Sequence, residues 1–186
     1  MCVKRGWIMG KYDISWQEMI PEEDIRHRTR ELAQAVDADF KDQDIVLICN
    51  LKGAFVFLAD FCRELTILHE VDFIATSSYK GTTSSSGVVR IVKDLKADIN
   101  GRHVLIVEDI VDSGLTLDYV RRYLSLHNPA SIKIVTLLDK KEARKVDIEA
   151  DYVGFEIPDK FVLGYGLDFF EHYRNLKFIA EYKSPD

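Results

Sequence analysis

Several things are scarce in this 186-residue chain, and each shortage removes a class of protein. No stretch approaches the roughly 18 uninterrupted apolar residues of a membrane-spanning helix, and the opening MCVKRGWIMG lacks the apolar run of a secretory signal. A cytoplasmic location is expected, with no membrane partner. Cysteine is limited to Cys2, Cys49 and Cys62, which form no CxxC pair and no metal-ligand spacing, so they read as inert thiols in a reducing compartment. Basic residues are outnumbered, 25 Lys and Arg against 31 Asp and Glu, for a formal charge of −6. That balance counts against a protein held to nucleic acid by phosphate contacts, and a polyanionic ligand would need a specific site. Hydrophobic content (47%) and charged content (30%) are ordinary for globular chains, and the length suits one compact domain spanning residues 1–186 with a sizeable core.

What is present is an alternation of short apolar runs and helical stretches. From Pro21, apolar Ile25, Leu32, Val36 and Phe40 fall at helical spacing behind Glu22, Glu23 and Asp24, acidic residues that suit a helix N-terminus. Ile45–Cys49 reads as a buried strand, followed by a loop at Asn50–Gly53 and a helix over 55–65. Further strands are expected at 71–76, 104–107, 132–138 and 152–155, with a helix over 117–126. Such alternation predicts βαβ units and an α/β fold with a mostly parallel central sheet flanked by helices. The polar stretch Gly81–Gly87 reads as a loop, with lid and surface linker weighed equally. The five histidines join no motif, and Trp7 and Trp16 read as packing aromatics.

The most informative segment is Val104-Leu105-Ile106-Val107-Glu108-Asp109-Ile110-Val111-Asp112-Ser113-Gly114-Leu115-Thr116. A buried strand delivers two adjacent carboxylates to the sheet edge where open α/β folds bind ligands, and a small-residue turn then opens a helix. Ser113, Gly114 and Thr116 offer backbone N–H groups and hydroxyls at that helix N-terminus, a setting that suits phosphate. Ionised Glu108 and Asp109 are acceptors, fitted to paired sugar hydroxyls or a hydrated cation such as Mg²⁺. Asp-Ser-Gly alone is more simply a helix cap. The whole pattern is far more specific.

That segment resembles the phosphoribosyl-diphosphate signature of the purine/pyrimidine phosphoribosyltransferase family, its hypoxanthine-guanine type in particular. Leu51-Lys52-Gly53-Ala54 resembles the family's pyrophosphate loop, Ser78-Tyr79 the start of its closing loop, and Tyr152–Val162 its purine pocket. Gly164–Asp168 through Tyr173–Leu176 resembles its closing segment. The matches run in family order from about Ile45 to Leu176. The resemblance implies the type I phosphoribosyltransferase fold with a small hood region, and a cis peptide between Leu51 and Lys52. It implies a transferase of purine salvage that moves the 5-phosphoribosyl group of phosphoribosyl diphosphate to N9 of a 6-oxopurine, releasing pyrophosphate. Glu108 and Asp109 would hold the ribose hydroxyls, and Asp112, Ser113, Gly114, Leu115 and Thr116 the 5′-phosphate, with Asp112 also the base near purine N7. Lys52, Gly53 and Arg174 would receive pyrophosphate. Lys140 would donate to the exocyclic oxygen, Phe161 would stack on the purine, and the Val162 backbone would meet its edge. Mg²⁺ is the implied cofactor, with Glu108, Asp109 and Asp168 its ligands, and a homodimer or homotetramer the implied assembly.

Each of these residues has a plainer alternative. An aromatic such as Phe161 in an apolar strand is usually core. Asp168 and Arg174 could be a surface ion pair, and Lys140 opens a run, Lys140-Lys141-Glu142-Ala143-Arg144-Lys145, that alone reads as a solvated helical face. Two other functions compete: a phosphoribosyltransferase for adenine or a pyrimidine, and a non-catalytic phosphoribosyl-diphosphate binder acting on nucleic acid. Lys140 and the Phe161 region oppose the first; the charge, and the joint presence of Asp112, Asp168 and Arg174, oppose the second. The chain departs from the family pattern at Lys177-Phe178-Ile179-Ala180, which weakens the expectation of a final strand there. Residues 1–12 match none of the motifs and are a candidate disordered segment, with Met9 an alternative start.

Overall fold

In the computed structural model, residues 4–5, 14–78 and 89–184 are described. Their elements are β1 (Lys4–Arg5), β2 (Ser15–Ile20), α1 (Glu22–Asp39), β3 (Ile45–Leu51), α2 (Phe55–Glu64), β4 (His69–Ser78), β5 (Val89–Lys93), β6 (His103–Val111), α3 (Leu115–Ser125), β7 (Ser131–Asp139), β8 (Tyr152–Glu156), β9 (Val162–Leu163) and β10 (Ile179–Lys183). The six-stranded sheet has the order β5-β4-β3-β6-β7-β8. Every neighbouring pair in it is parallel except β4 with β5, an antiparallel edge. This is the expected α/β fold.

Alternation along the central strands explains how one sheet builds two cores. Ile45, Leu47 and Cys49 of β3, with Leu105 and Val107 of β6, face Ile25, Leu32 and Val36 of α1 and Phe57 and Phe61 of α2. Val46, Ile48, Val104 and Ile106 point to the opposite face and pack on Leu117, Val120 and Leu124 of α3. Strands buried on both sides have no polar face, and the sequence shows this as the continuous runs Ile45–Cys49 and Val104–Val107. Each fully buried aliphatic side chain contributes about 1.5–3 kcal/mol.

The structure departs from the sequence reading in three places. Strand β6 continues beyond Val107 to Val111, so Glu108 and Asp109 lie within it, held by pairing to Thr136 and Leu138 of β7 around them. The run after Lys140, whose plainer alternative is a solvated helical face, forms only a 3₁₀ turn, Lys141–Ala143, before the Lys145 N–H reaches back to the Ser113 carbonyl. A second, antiparallel sheet of order β1-β2-β10-β9 forms the hood; β2 gave no clear local signal, and β10 forms despite Lys177–Ala180. It packs around Ile14, Trp16, Leu163, Tyr173 and Ala180, and Trp16 meets Phe178 with ring centroids 5.1 Å apart. Cys2, Trp7, Met9, Tyr79 and the Thr/Ser-rich loop lie outside the described residues, and of Ser78 only the backbone at the end of β4 is described.

A buried carboxylate ties the antiparallel edge to the sheet. Asp72 of β4 accepts backbone N–H groups from Lys96 (2.6 Å), Ala97 (2.8 Å) and Phe73 (2.7 Å). Burial pushes its pKa up, but those N–H groups and nearby Lys93 outweigh burial and leave the carboxyl below its ordinary value. Asp72→Ala strands these donors, and a stability loss of about 3 kcal/mol is expected in urea unfolding. A loss below the scatter of surface substitutions would show that the edge is held by other contacts.

Candidate active site

Parallel pairing brings the carboxyl ends of β3, β6 and β7 to one edge, and the sequence-selected residues gather there. Glu108 is buried, and its Oε1 accepts a hydrogen bond from Asn50 Nδ2 at 3.1 Å. Asn50 in turn accepts from the Thr76 hydroxyl at 3.4 Å. Burial, with Asp109 beside it, pushes the Glu108 carboxyl well above its usual range, against the Asn50 bond that lowers it. Burial likewise raises Asp109 to about 6; the Ile110 N–H and Arg174 hold it down, and Asp168 adds to the rise. Two neighbouring carboxyls that favour the protonated form are poised to gain from a cation or hydroxyl donor placed between them.

The turn after β6 opens α3 with its first backbone N–H groups free of any side-chain cap. Gly114 is the N-cap of α3 at φ +79°, and no side chain caps the helix, so Asp112 does not take the capping role considered from sequence. A cleft of about 190 Å³ opens there, lined by Asn50, Glu108, Asp109 and the loop from Asp112 to Thr116. The loop is braced from behind. The Arg144 guanidinium pairs with Asp139, which is 2% exposed, and donates to the Asp112 carbonyl at 2.7 Å, while the Lys145 N–H donates to the Ser113 carbonyl at 2.9 Å. A Cβ on Gly114 would press on Ile148, Arg144 and Val146. Arg144 is therefore no part of a solvated face.

The loop after β3 meets the same edge. The Leu51–Lys52 peptide is cis. A Cβ on Gly53 would collide with the Asp109 carboxylate, and one on Gly166, at φ +98°, would collide with the Gly53 carbonyl. Gly53 is thus clamped between β6 and the closing segment. In that segment Arg174 Nη2 lies 2.9 Å from Asp168 Oδ1 and 3.1 Å from Glu171 Oε2, and Nη1 donates to the Gly166 carbonyl at 2.8 Å. Lys52 Nζ lies 3.0 Å from the same Glu171 oxygen.

Lys140, Phe161 and Val162 complete the residues singled out from the sequence. Lys140, 5% exposed, follows β7 and places Nζ 3.5 Å from both Asp112 Oδ2 and Asp159 Oδ1. Phe161 is not core: it is 52% exposed, with edge contacts to Phe169 and Tyr182. Val162 is buried in β9 opposite Glu181. Among the described residues no group of three His, Cys, Asp or Glu side chains converges as a metal cage, so Glu108, Asp109 and Asp168 do not enclose an ion by themselves. Sequence reasoning missed Asn50, Asp139, Arg144, Asp159 and Glu171. None carries a local signal, because each acts on a residue brought to it by the fold.

A cleft at the carboxyl edge of a parallel sheet, with a phosphate-suited helix start and a hood above, defines a nucleotide-handling α/β protein. Residues 16–169 match the phosphoribosyl transferase domain family, and the chain belongs to that family. It is 49% identical over 165 residues to the hypoxanthine phosphoribosyltransferase of Escherichia coli K12, covering 88% of this chain and 93% of that one. Against the hypoxanthine-guanine phosphoribosyltransferase of Bacillus subtilis it is 48% identical, covering 94% and 97%. A crystal structure of the Bacillus anthracis hypoxanthine-guanine phosphoribosyltransferase superposes with a TM-score of 0.85 at 47% identity, covering 89% of this chain and 97% of that one. A Staphylococcus aureus hypoxanthine phosphoribosyltransferase gives 0.86 at 43%, covering 90% and 91%.

Two measurements test this geometry. In ligand-free protein the Asp109 carboxyl should titrate near pH 6 by NMR; Asp168→Asn should lower that midpoint and Arg174→Met raise it. Because the folded carboxyl holds its proton more tightly than the unfolded chain does, this group's contribution to stability is present at low pH and lost as pH rises through about 6. A midpoint near 4, unmoved by either variant, would contradict the burial described. Separately, Arg144→Met leaves Asp139 buried without its partner and should cost about 3 kcal/mol in urea unfolding, much of it recovered in the Asp139→Leu/Arg144→Met double variant.

Proposed function

We propose that this chain is a purine-salvage enzyme, transferring the 5-phosphoribosyl group of phosphoribosyl diphosphate to N9 of hypoxanthine and guanine to give IMP or GMP and pyrophosphate. One observation carries the base assignment: the nearly buried Lys140 ammonium sits 3.5 Å from Asp112, so a cation and the phosphate loop meet where a base and a ribose phosphate must join. An ammonium has donors and no acceptor, which satisfies a 6-oxo group and opposes the 6-amino group of adenine. The half-exposed Phe161 face would stack on the ring, and the Val162 backbone would meet its edge.

The anomeric carbon gains positive character as pyrophosphate leaves, so the protein's work is alignment and charge stabilisation. The turn Asp112-Ser113-Gly114-Leu115-Thr116 receives the 5′-phosphate on its backbone donors. Glu108 and Asp109 accept from the ribose hydroxyls, and a donor between them favours their ionised forms. Lys52, Gly53 and Arg174 receive pyrophosphate, and Asp112 takes the purine proton at N7. Water is a competing nucleophile for this carbon, which is the physical reason for a covered cleft; the residues expected from sequence to close it, from Tyr79 on, lie outside the described ones.

Glu108, Asp109 and Asp168 supply hard oxygen donors but no closed cage, which suits Mg²⁺ because that ion keeps waters and shares its shell with substrate oxygens. When bound, the ion would offset charge on the diphosphate. Asp168 holds Arg174 at 2.9 Å and would in this way position a cation for the same group. Assembly as a homodimer or homotetramer and a cytoplasmic location belong to this reading. The free thiols of Cys49 and Cys62 suit a reducing compartment.

The test is pyrophosphate release from phosphoribosyl diphosphate and Mg²⁺, with hypoxanthine, guanine, xanthine, adenine or uracil offered separately. Turnover is expected with hypoxanthine and guanine, falling by about 10²–10⁴-fold in Asp112→Asn. Lys140→Ala should narrow the preference for hypoxanthine over adenine by about 10-fold or more, the consequence of a mismatched buried donor. Turnover with adenine or uracil would discard the base pocket. No turnover with any base, with phosphoribosyl diphosphate still bound, would mark a non-catalytic binder.

A further inference from the structure

The two cations assigned to pyrophosphate already share an anion of the protein's own. The Glu171 carboxylate lies between them, with Oε2 3.0 Å from Lys52 Nζ and 3.1 Å from Arg174 Nη2. The geometry is that of a bridging oxygen, the arrangement a diphosphate oxygen would adopt between the same two donors. Glu171 reaches it through a constrained backbone: its φ is +67°, that of Phe170 is +49°, and its N–H donates to Asp168 Oδ2 at 2.8 Å. The side chain is unlike the backbone in being 65% exposed, so rotation about its own bonds can carry the carboxylate into solvent while the segment stays in place.

We propose that Glu171 is a resident counter-anion of the leaving-group subsite, bridging Lys52 and Arg174 when the subsite is empty and displaced by pyrophosphate or the diphosphate of the substrate. This rests on the assignment of Lys52 and Arg174 to pyrophosphate. Three consequences follow from the contacts. Lys52 and Arg174, which would otherwise repel one another across a short gap, are held side by side in a receptive arrangement. Diphosphate binding is weakened by the contacts it must replace, and the same carboxylate, returning, helps to expel pyrophosphate. Displacement is cheap, because Lys52 and Glu171 are both largely solvent-exposed and exposed ion pairs are weak.

The experiment is calorimetric titration of pyrophosphate with Mg²⁺ into the full-length chain, alongside the KM for phosphoribosyl diphosphate. Glu171→Gln is expected to tighten pyrophosphate and lower that KM by about 3- to 10-fold, the range set by one or two exposed pairs. Glu171→Asp separates bridging from simple charge: it keeps the negative charge but is one methylene too short to span both cations. Tightening in Glu171→Asp as well supports displacement. Wild-type affinity there, or in Glu171→Gln, overturns it. Lys52→Met tests the underlying assignment. If it weakens pyrophosphate binding and abolishes the gain from Glu171→Gln, both readings stand; if it leaves pyrophosphate affinity unchanged, the assignment itself fails, whatever Glu171 does.

Discussion

The contact on which the site depends is the one between the Gly53 backbone and the Asp109 carboxylate, which an added carbon at Gly53 would displace. On the other side of Gly53, Gly166 approaches its carbonyl with the same closeness. Three stretches far apart in the chain thereby meet at one point: the loop after β3, the end of β6 and the closing segment. Glycine is required at 53 for space and at 166 for both space and a positive φ.

Electrostatics is organised around the same edge. Two adjacent carboxyls, Glu108 and Asp109, are pushed toward their protonated forms by burial, while the cations near them are each matched by a carboxylate: Lys52 by Glu171, Arg174 by Asp168 and Glu171, Lys140 by Asp112 and Asp159, Arg144 by Asp139. These cations are thus already paired with carboxylates of the protein itself. The pairs differ in kind. Arg144 and the buried Asp139 are structural, bracing the turn after β6 through the Asp112 carbonyl, whereas Lys52 and Glu171 are largely exposed to solvent, where such pairs are weak.

How much could be read in advance followed the range of the interactions involved. The central strands were legible because burial on both faces leaves uninterrupted apolar runs, and α1 because its buried residues repeat at helical spacing. The hood was implied by the family resemblance and by no local pattern, because β2 pairs with β10 from the far end of the chain and only Trp16 and Ile20 of its residues are buried. The run after Lys140 misled for a related reason. Its charges look solvated until Arg144 is seen folded back onto Asp139 and the carbonyl of Asp112.

By itself the sequence determined the alternating α/β framework, the phosphate-suited turn at Asp112–Thr116 and the family, since backbone preference, apolar periodicity and contiguous motifs are all local properties. Only the tertiary structure decided which groups share space. It placed Asn50 on Glu108, Gly53 against Asp109, Lys140 between Asp112 and Asp159, and Glu171 between Lys52 and Arg174. The physical reason is that parallel pairing collects the carboxyl ends of several strands at one edge, so residues separated by scores of positions become neighbours there. Hydrogen bonds and ion pairs act over a few ångströms in space and leave no trace in spacing along the chain.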